Sequence, residues 1–419
     1  MFGFNRRGRM LALIGLSAAA FAAGAAYAEP APPFVQLLRA SSDAPRLEIL
    51  DADVARAEGL ARQAGASPNP IISLMGENFG GSDPYGAFGR VESTLQYSQP
   101  IELGGKKTAR VAAGQASVLA AQASNHEGRV NYAYELVLAY AAVEVADRRI
   151  AIASDGVADA IQDLKVAKAM VSAGKDSQLR QLQAETELNT LQAEYEAVRA
   201  SRVGALARLT ALAGSDETFT GVSESLFARV AAKPAVGPVD PLQNAAYLSA
   251  EAERQAAVLR AEAERRRASP DVTAQIGVRR LQGADATALV AGISIPLNLF
   301  DANKGNIAAA QAESRGADAR VEVARLEAQA AAQSAIAQVD AADAQADAAA
   351  KTQATAEEAY RLVRIAYDGG KAPLSEVITA RRSLSAARAV VLNADIARLQ
   401  ARATIARLQG LTITGEPVQ

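Results

Sequence analysis

The chain has 419 residues, a formal charge of −2, no Cys, no Trp and a single His. This excludes disulfides, thiolate catalysis and a clustered soft-metal site, and the mildly acidic balance argues against nucleic acid as a partner. Half the residues are hydrophobic, but Ala dominates them, which predicts closely packed helices and no thick Leu/Phe core.

The first residues read as an export leader. Arg6, Arg7 and Arg9 precede the small-residue apolar run Met10–Ala25, and Ala26-Tyr27-Ala28 is an A-x-A cleavage site. Residues 1–28 are therefore expected to be a cleaved signal peptide, with the mature chain starting at Glu29. It has no Cys to carry a lipid anchor. No later run reaches the ~20 apolar residues of a membrane-spanning helix, so entry into a membrane would have to use strands.

The first repeat is expected over 29–213. A helix over Pro45–Ala64 ends at Asn69-Pro70, and strands follow at about 71–79 and 89–99. In the second strand Arg90, Glu92, Thr94, Gln96 and Ser98 alternate with Val91, Leu95 and Tyr97, so one face is polar and the other apolar. Pro100 should end the strand ladder, since it has no N–H to donate. Gly104-Gly105 should allow the turn into a long helix at about 105–171. The turn Ala173-Gly174-Lys175-Asp176 leads to a shorter helix ending at Ala213.

Residues 214–240 are expected to link the repeats at mid-height. A second repeat over 241–410 has the same order: helix, strands at about 271–280 and 287–297, a corner with Pro296 and Gly305, a long helix at about 305–368, and a short helix over Pro373–Gln409. Residues 411–419 form a tail.

A single offset of 196 residues takes Pro100 to Pro296, Gln115 to Gln311, Gly174-Lys175 to Gly370-Lys371 and Gly214 to Gly410. One offset held through a strand, a turn and two helices marks a duplicated unit. Each long helix would span roughly 100 Å. The two short helices of each repeat, end to end, come close to that length, which predicts a slab of helical rods with four strands at one end. Four strands cannot close a barrel; about eight are needed even for one filled by side chains. Several chains must therefore share one barrel, with Arg90, Glu92, Thr94 and Gln96 toward its water-filled lumen and Val91, Leu95 and Tyr97 toward lipid.

Strand pairs feeding such helices in two tandem copies resemble the outer membrane factor (TolC-like) family. The resemblance covers about Pro45 to Gly410. Within it, Gln99-Pro100-Ile101-Glu102-Leu103-Gly104-Gly105-Lys106-Lys107, with Asn69-Pro70 and Glu77-Asn78 upstream, is similar to the heavy-metal cation (cobalt-zinc-cadmium type) branch. The resemblance implies a mainly α fold with a membrane β-barrel. Three chains would share a twelve-stranded barrel in the outer membrane and a long helical tunnel in the periplasm. It implies an exit duct without cofactor or catalysis, partnered by a periplasmic adapter and an inner-membrane RND-type pump. Many members carry a lipidated Cys after the signal, which this chain lacks.

The resemblance also assigns sites. The turns with Gly174, Lys175, Gly370, Lys371, Leu374 and Ser375 become adapter-contact tips. Asp163, Lys165, Lys168, Arg361, Arg364, Tyr367 and Asp368 become candidates for a gate that closes the tunnel near those tips. Arg361 and Arg364 lie one turn apart, which puts both within reach of an acid such as Asp163 on a neighbouring rod. Pro100, Gly104, Gly105, Pro296 and Gly305 are read as architecture. Two other readings stay open: a duct for drugs or secreted protein, and a periplasmic scaffold or adapter. Adapters normally carry one helical hairpin, whereas two are written here.

Overall fold

The structure, a computed structural model, describes residues 29–83, 85, 88–232 and 237–418. The expected signal peptide, residues 1–28, lies outside them.

Two short elements come first, α1 (Phe34–Ala40) and α2 (Pro45–Ala64). Pro45 occupies the first turn of α2, where its missing N–H costs nothing. Strands β1 (Ile71–Glu77) and β2 (Glu92–Ile101) follow. The long helix α3 (Lys106–Ser172) and the shorter α4 (Gln178–Ala213) form the first hairpin. After α5 (Leu226–Ala231) the pattern repeats with α6 (Ala245–Arg267), β3 (Val272–Leu281), β4 (Ala286–Ser294), α7 (Lys304–Asp368) and α8 (Leu374–Leu408).

The duplication is visible in the helix ends. At the foot of α3, Gly174 has φ 68° and the Lys175 N–H donates to Met170 O. At the foot of α7, Gly370 has φ 70° and Lys371 donates to Ala366 O. Both are left-handed glycine caps that satisfy carbonyls the helix leaves open.

The entry corners differ. Gly104 and Gly105 both take positive φ before α3, as expected. Gly305 does not perform that turn. It lies inside α7, and Asn303 at φ 58° is the left-handed residue. Asn enters that conformation more readily than most residues; here its Nδ2 donates across to α6, to Glu264 O and Oε2 at 2.9 and 2.8 Å. Pro100 does not end its strand either. β2 runs on to Ile101 opposite Val272 in β3, while pairing with β1 stops at Ser98. Proline is tolerated there because one flank of the strand is already unpaired. Pro296 lies two residues past the end of β4. Arg90 belongs to a 3-10 turn, Phe88–Arg90, ahead of β2, so it leaves the predicted lumen row.

The sheet is an antiparallel meander in the order β1-β2-β3-β4. Its register aligns Leu74, Leu95, Val278 and Leu289 in one row, and Ile72, Tyr97, Ile276 and Ala291 in the next on the same face. The opposite face carries Met75, Thr94, Arg279 and Ala288, then Ser73, Gln96, Gly277 and Val290. Leu74, Leu95, Ile276 and Leu289 are exposed. On the polar side Arg279 holds Glu77 and Glu92, each at 3.2 Å, and Gln96 donates to Gln275 at 2.7 Å. Both outer strands, β1 and β4, keep an open edge. No described helix is long and apolar enough to cross a membrane.

Below the sheet, α3 packs against α2 and then α4, and on its other side against α6 and α8; α7 packs against α6 and α8. The rods therefore stand in the order α2/α4, α3, α6/α8, α7. Small residues allow the close spacing: a Cβ on Gly128 of α3 would meet Leu50 of α2 at 2.6 Å. The two outermost rods leave apolar side chains exposed, Leu60, Leu179 and Val203 on one flank and Val323, Leu326 and Ile365 on the other.

The expectation that Ala-rich rods carry no thick core needs correction. Roughly halfway along α3, Leu136, Tyr140 and Val143 meet Phe34, Leu37, Leu209, Leu226 and Leu399 in one buried cluster. This is where α1 and α5 add a layer outside the rods, and the extra thickness needs large side chains. Phe34 meets the Tyr140 ring edge-on at 6.2 Å, and the Tyr140 hydroxyl accepts from Glu224 N at 3.1 Å. Buried Glu144 accepts from Ser225 Oγ and Leu226 N, at 2.5 and 3.0 Å, and so holds the start of α5.

Candidate functional site

Near the hairpin tips the rods bury charge. Asp163, Glu187 and Arg381 are each about 95 % or more covered. Each falls on the inward heptad face of its helix: Ala153, Gly156, Ala160, Asp163 and Ala167 in α3; Ala184 and Glu187 in α4; Leu374, Val377, Arg381 and Leu384 in α8. The same spacing that turns Ala and Leu inward turns these ionic groups inward.

They meet as a chain. Asp163 accepts from Arg364 and Arg381, both at 2.6 Å. Arg381 continues to Glu187 at 3.1 Å, and Glu187 also pairs with Arg382. A parallel link runs from the Tyr360 hydroxyl to Asp159 Oδ2 at 2.8 Å. One network thus joins α3, α4, α7 and α8, tying the first hairpin to the second.

The electrostatics follow from burial and pairing. Burial would raise the Glu187 pKa, but hydrogen bonds and charge from Arg382 and Arg381 outweigh it and hold the carboxyl below its ordinary value. Burial would likewise lower Arg364, and Asp163 more than offsets it. Burial, then the bond to Asp159, pushes Tyr360 up to about 12, so it remains a donor at any physiological pH. Two carboxylates face three guanidinium groups, and charge-assisted bonds satisfy each.

The sequence-predicted residues divide between this network and the surface. Asp163 and Arg364 are brought together. Arg361 is not: it pairs with Glu358 on its own helix at 2.6 Å and is exposed. A three-residue step on α7 separates the two arginines enough that only Arg364 turns toward α3. Lys168 reaches Glu185 at 3.5 Å on the outside, and Lys165 is exposed. Tyr367 is half-buried against Ala167, Ala184, Leu374 and Val377. Asp368 lies 3.9 Å from Arg364 and is exposed.

At the tips, Gly174, Lys175, Gly370, Lys371 and Ser375 are exposed, but Leu374 is buried under the turn. It packs inside the hairpin and cannot also be a surface contact. Glu92, Thr94 and Gln96 share the polar face of the sheet. Arg381, Arg382 and Glu187 escaped the sequence reading, although a charge on an otherwise apolar heptad face was the available signal. Among the described residues no cluster of three His, Cys, Asp or Glu could hold a metal ion.

A sequence model for the family described as "Outer membrane efflux protein" matches residues 37–215 and 242–411. The chain belongs to the outer membrane efflux protein family. Within it, the nickel-cobalt-cadmium resistance protein NccC of Alcaligenes xylosoxydans xylosoxydans is 38% identical over 400 residues, 95% of this chain and 91% of its own. The cobalt-zinc-cadmium resistance protein CzcC of Cupriavidus metallidurans is 28% identical, with 84% of each chain covered. In fold the chain matches the transmembrane channel CusC with a TM-score of 0.75 at 18% identity, over 90% of this chain and 92% of that one. It also matches the outer membrane protein VceC of Vibrio cholerae, with a TM-score of 0.70 at 20% identity over 91% and 96%. Family membership makes the chain an outer membrane efflux duct; it is not an enzyme.

Proposed function

We propose that this duct exports heavy-metal cations as a homotrimer, in series with a periplasmic adapter and an inner-membrane RND-type pump. The observation that carries the cargo is near-full-length similarity to NccC, a protein named for nickel, cobalt and cadmium resistance. The open edges support the trimer. β1 and the α2/α4 rod lie on one flank and β4 and α7 on the other, so one heterologous contact repeated around an axis pairs both strand edges and covers both apolar flanks. Three copies supply twelve strands.

In this reading the cation is cargo and not a resident ligand. The duct supplies a path, and the pump supplies selection. The Asp163–Arg364–Arg381–Glu187 network latches the two hairpins of each chain and so closes the tunnel near its periplasmic end. Opening exchanges these pairs for water as α7 and α8 swing outward. Lys175, Lys371 and Ser375, at the exposed tips, meet the adapter.

The test is deletion of the gene in its native host, followed by growth on nickel, cobalt, cadmium and zinc. Sensitivity to these cations, restored by the wild-type chain, is the expected result. Unchanged metal tolerance with new sensitivity to bulky drugs would replace the cargo. A monomer in detergent, with its mass corrected for bound detergent, would overturn the shared barrel.

A further inference from the structure

The foot of the sheet carries a feature that neither the barrel nor the tunnel explains. β4 ends at Ser294, but its apolar alternation does not. Leu289, Ala291 and Ile293 are followed at the same two-residue step by Ile295, Leu297 and Leu299, and then by Phe300. Leu297 and Leu299 are each about three-quarters exposed, and Phe300 is fully exposed. The apolar alternation of the sequence thus runs past the strand toward the helices, and the Leu299 N–H donates to Leu297 O at 2.9 Å, which turns the chain there.

Two asparagines fix this segment in place. Asn298 Nδ2 donates to Ala268 O at 2.7 Å, and Asn303 Nδ2 donates to Glu264 O at 2.9 Å. Both acceptors lie at the C-terminal end of α6, which carries Arg265, Arg266 and Arg267 in succession. Apolar residues and an arginine cluster are therefore held side by side at the boundary of the sheet. The three arginines are mostly exposed and, among the described residues, ion-pair only with Glu262 and Glu264. Among the described residues the nearby helix starts add Lys107 and Lys304, both exposed and neither in an ion pair.

Arginines in the last turn of a helix also complement its dipole. That accounts for a basic residue, but not for a fully exposed phenylalanine on the segment that Asn298 and Asn303 hold to the same helix end. The pairing of an apolar wedge with an excess of cationic groups, at the level where a lipid-facing sheet face ends, is the chemistry of a phospholipid headgroup region. We infer that the Arg265–Arg267 cluster, with Leu297, Leu299 and Phe300, binds anionic phospholipid of the membrane's periplasmic leaflet and fixes the depth of the barrel. This rests on the outer membrane reading above. It gives the chain a non-covalent anchor at the position where the sheet passes into the tunnel. The arginines hold the phosphates, and the apolar side chains enter the acyl region next to them.

The experiment is native mass spectrometry of the detergent-purified trimer, incubated with equal phosphatidylglycerol and phosphatidylcholine. Wild-type trimer should retain phosphatidylglycerol preferentially, by roughly fivefold for each basic residue engaged at an anionic surface. The Arg265→Gln/Arg266→Gln/Arg267→Gln variant should lose most of that preference. The Lys version of the same triple should keep it. Phe300→Ser should reduce retention of both lipids alike. No preference in wild type, or the same preference in the Gln triple, overturns the inference. So does a Phe300→Ser trimer that falls apart with its lipid preference intact, because the segment would then be a contact between copies. Channel conductance in planar bilayers is measured on each preparation. Conductance without lipid preference defeats this inference alone, whereas no conductance from any preparation defeats the duct itself.

Discussion

The middle and the tip of the rods solve one packing problem in opposite ways. At mid-height the buried side chains are Phe34, Leu136, Tyr140 and Leu209. Near the tips Asp163, Glu187 and Arg381 are buried as well, beside the small apolar cluster Ala167, Ala184, Leu374 and Val377. Apolar burial is non-directional and needs no partner of matching charge. A buried ion pair adds little net stability compared with apolar packing, but it is costly to break from one side only. On the gating proposed above, the middle is the fixed girdle of each chain and the tip is the part that exchanges between two arrangements. Water can replace the ionic pairs of the tip, but it cannot replace the apolar contacts that dominate the girdle.

The largest expected effect is in the girdle. Tyr140→Ala removes a buried ring and leaves Glu224 N–H without its acceptor. The cost should be about 3–5 kcal/mol, as for other buried aromatic truncations. A strongly lowered melting temperature is expected, with unchanged single-channel conductance in the trimers that remain. Raised conductance would show that the middle is also part of the closure.

The next effect is at the tip. Arg381→Ala strands Asp163 and Glu187, two buried carboxylates that share it. Removal of one partner from a buried ionic group costs about 3–5 kcal/mol; Arg364 and Arg382 remain and should keep the loss near the lower end. The distinguishing readout is conductance, which should rise. Arg381→Met, which fills the volume without charge, should open the channel less than Arg364→Glu. Reversal at Arg364 puts a second carboxylate against Asp163. If the three variants melt early with wild-type conductance, the network is structural only.

A smaller effect comes from pH. The folded Glu187 pKa lies below its ordinary 4.5. Its contribution to the closed arrangement is therefore fully present above about 4.5 and is lost as pH falls through the lower folded value. Conductance should be flat from pH 8 down to about 5 and rise only in stronger acid. Glu187→Gln should abolish that acid rise. A transition near neutrality would place the controlling group elsewhere.

Most of the wall was legible from the chain, for physical reasons that also explain the misses. Long helices without proline and left-handed Gly174 and Gly370 follow from local rules, and a repeated offset makes each rule count twice. The entry to α7 was misread because Asn303 can do what Gly305 was expected to do. Its left-handed turn is supported by Glu264, which lies 39 residues earlier in the chain. Arg381 was missed because its partners lie 218 and 194 residues away, on α3 and α4. Yet its position between Val377 and Leu384 on the α8 heptad face was in plain sight. The middle core was missed because α1 and α5, short and weakly patterned, supply the layer that makes it thick.

The smallest expected effect sharpens the comparison most. Arg361 and Arg364 are identical side chains three residues apart on α7. Composition and helix spacing alone make them equivalent gate candidates. Their surroundings differ: Arg364 turns toward buried Asp163, whereas Arg361 is exposed and held by Glu358 on the same helix. An exposed pair within one helix exchanges its partner for water at little cost, and it spans no joint between hairpins. Arg361→Gln should therefore leave both melting temperature and conductance at wild-type values, while Arg364→Gln raises conductance. Equal effects from the two would mean that the tip responds to its total charge. Unequal effects in the stated order would mean that closure depends on one contact between α3 and α7, and that a charge counts only where the rods bury it.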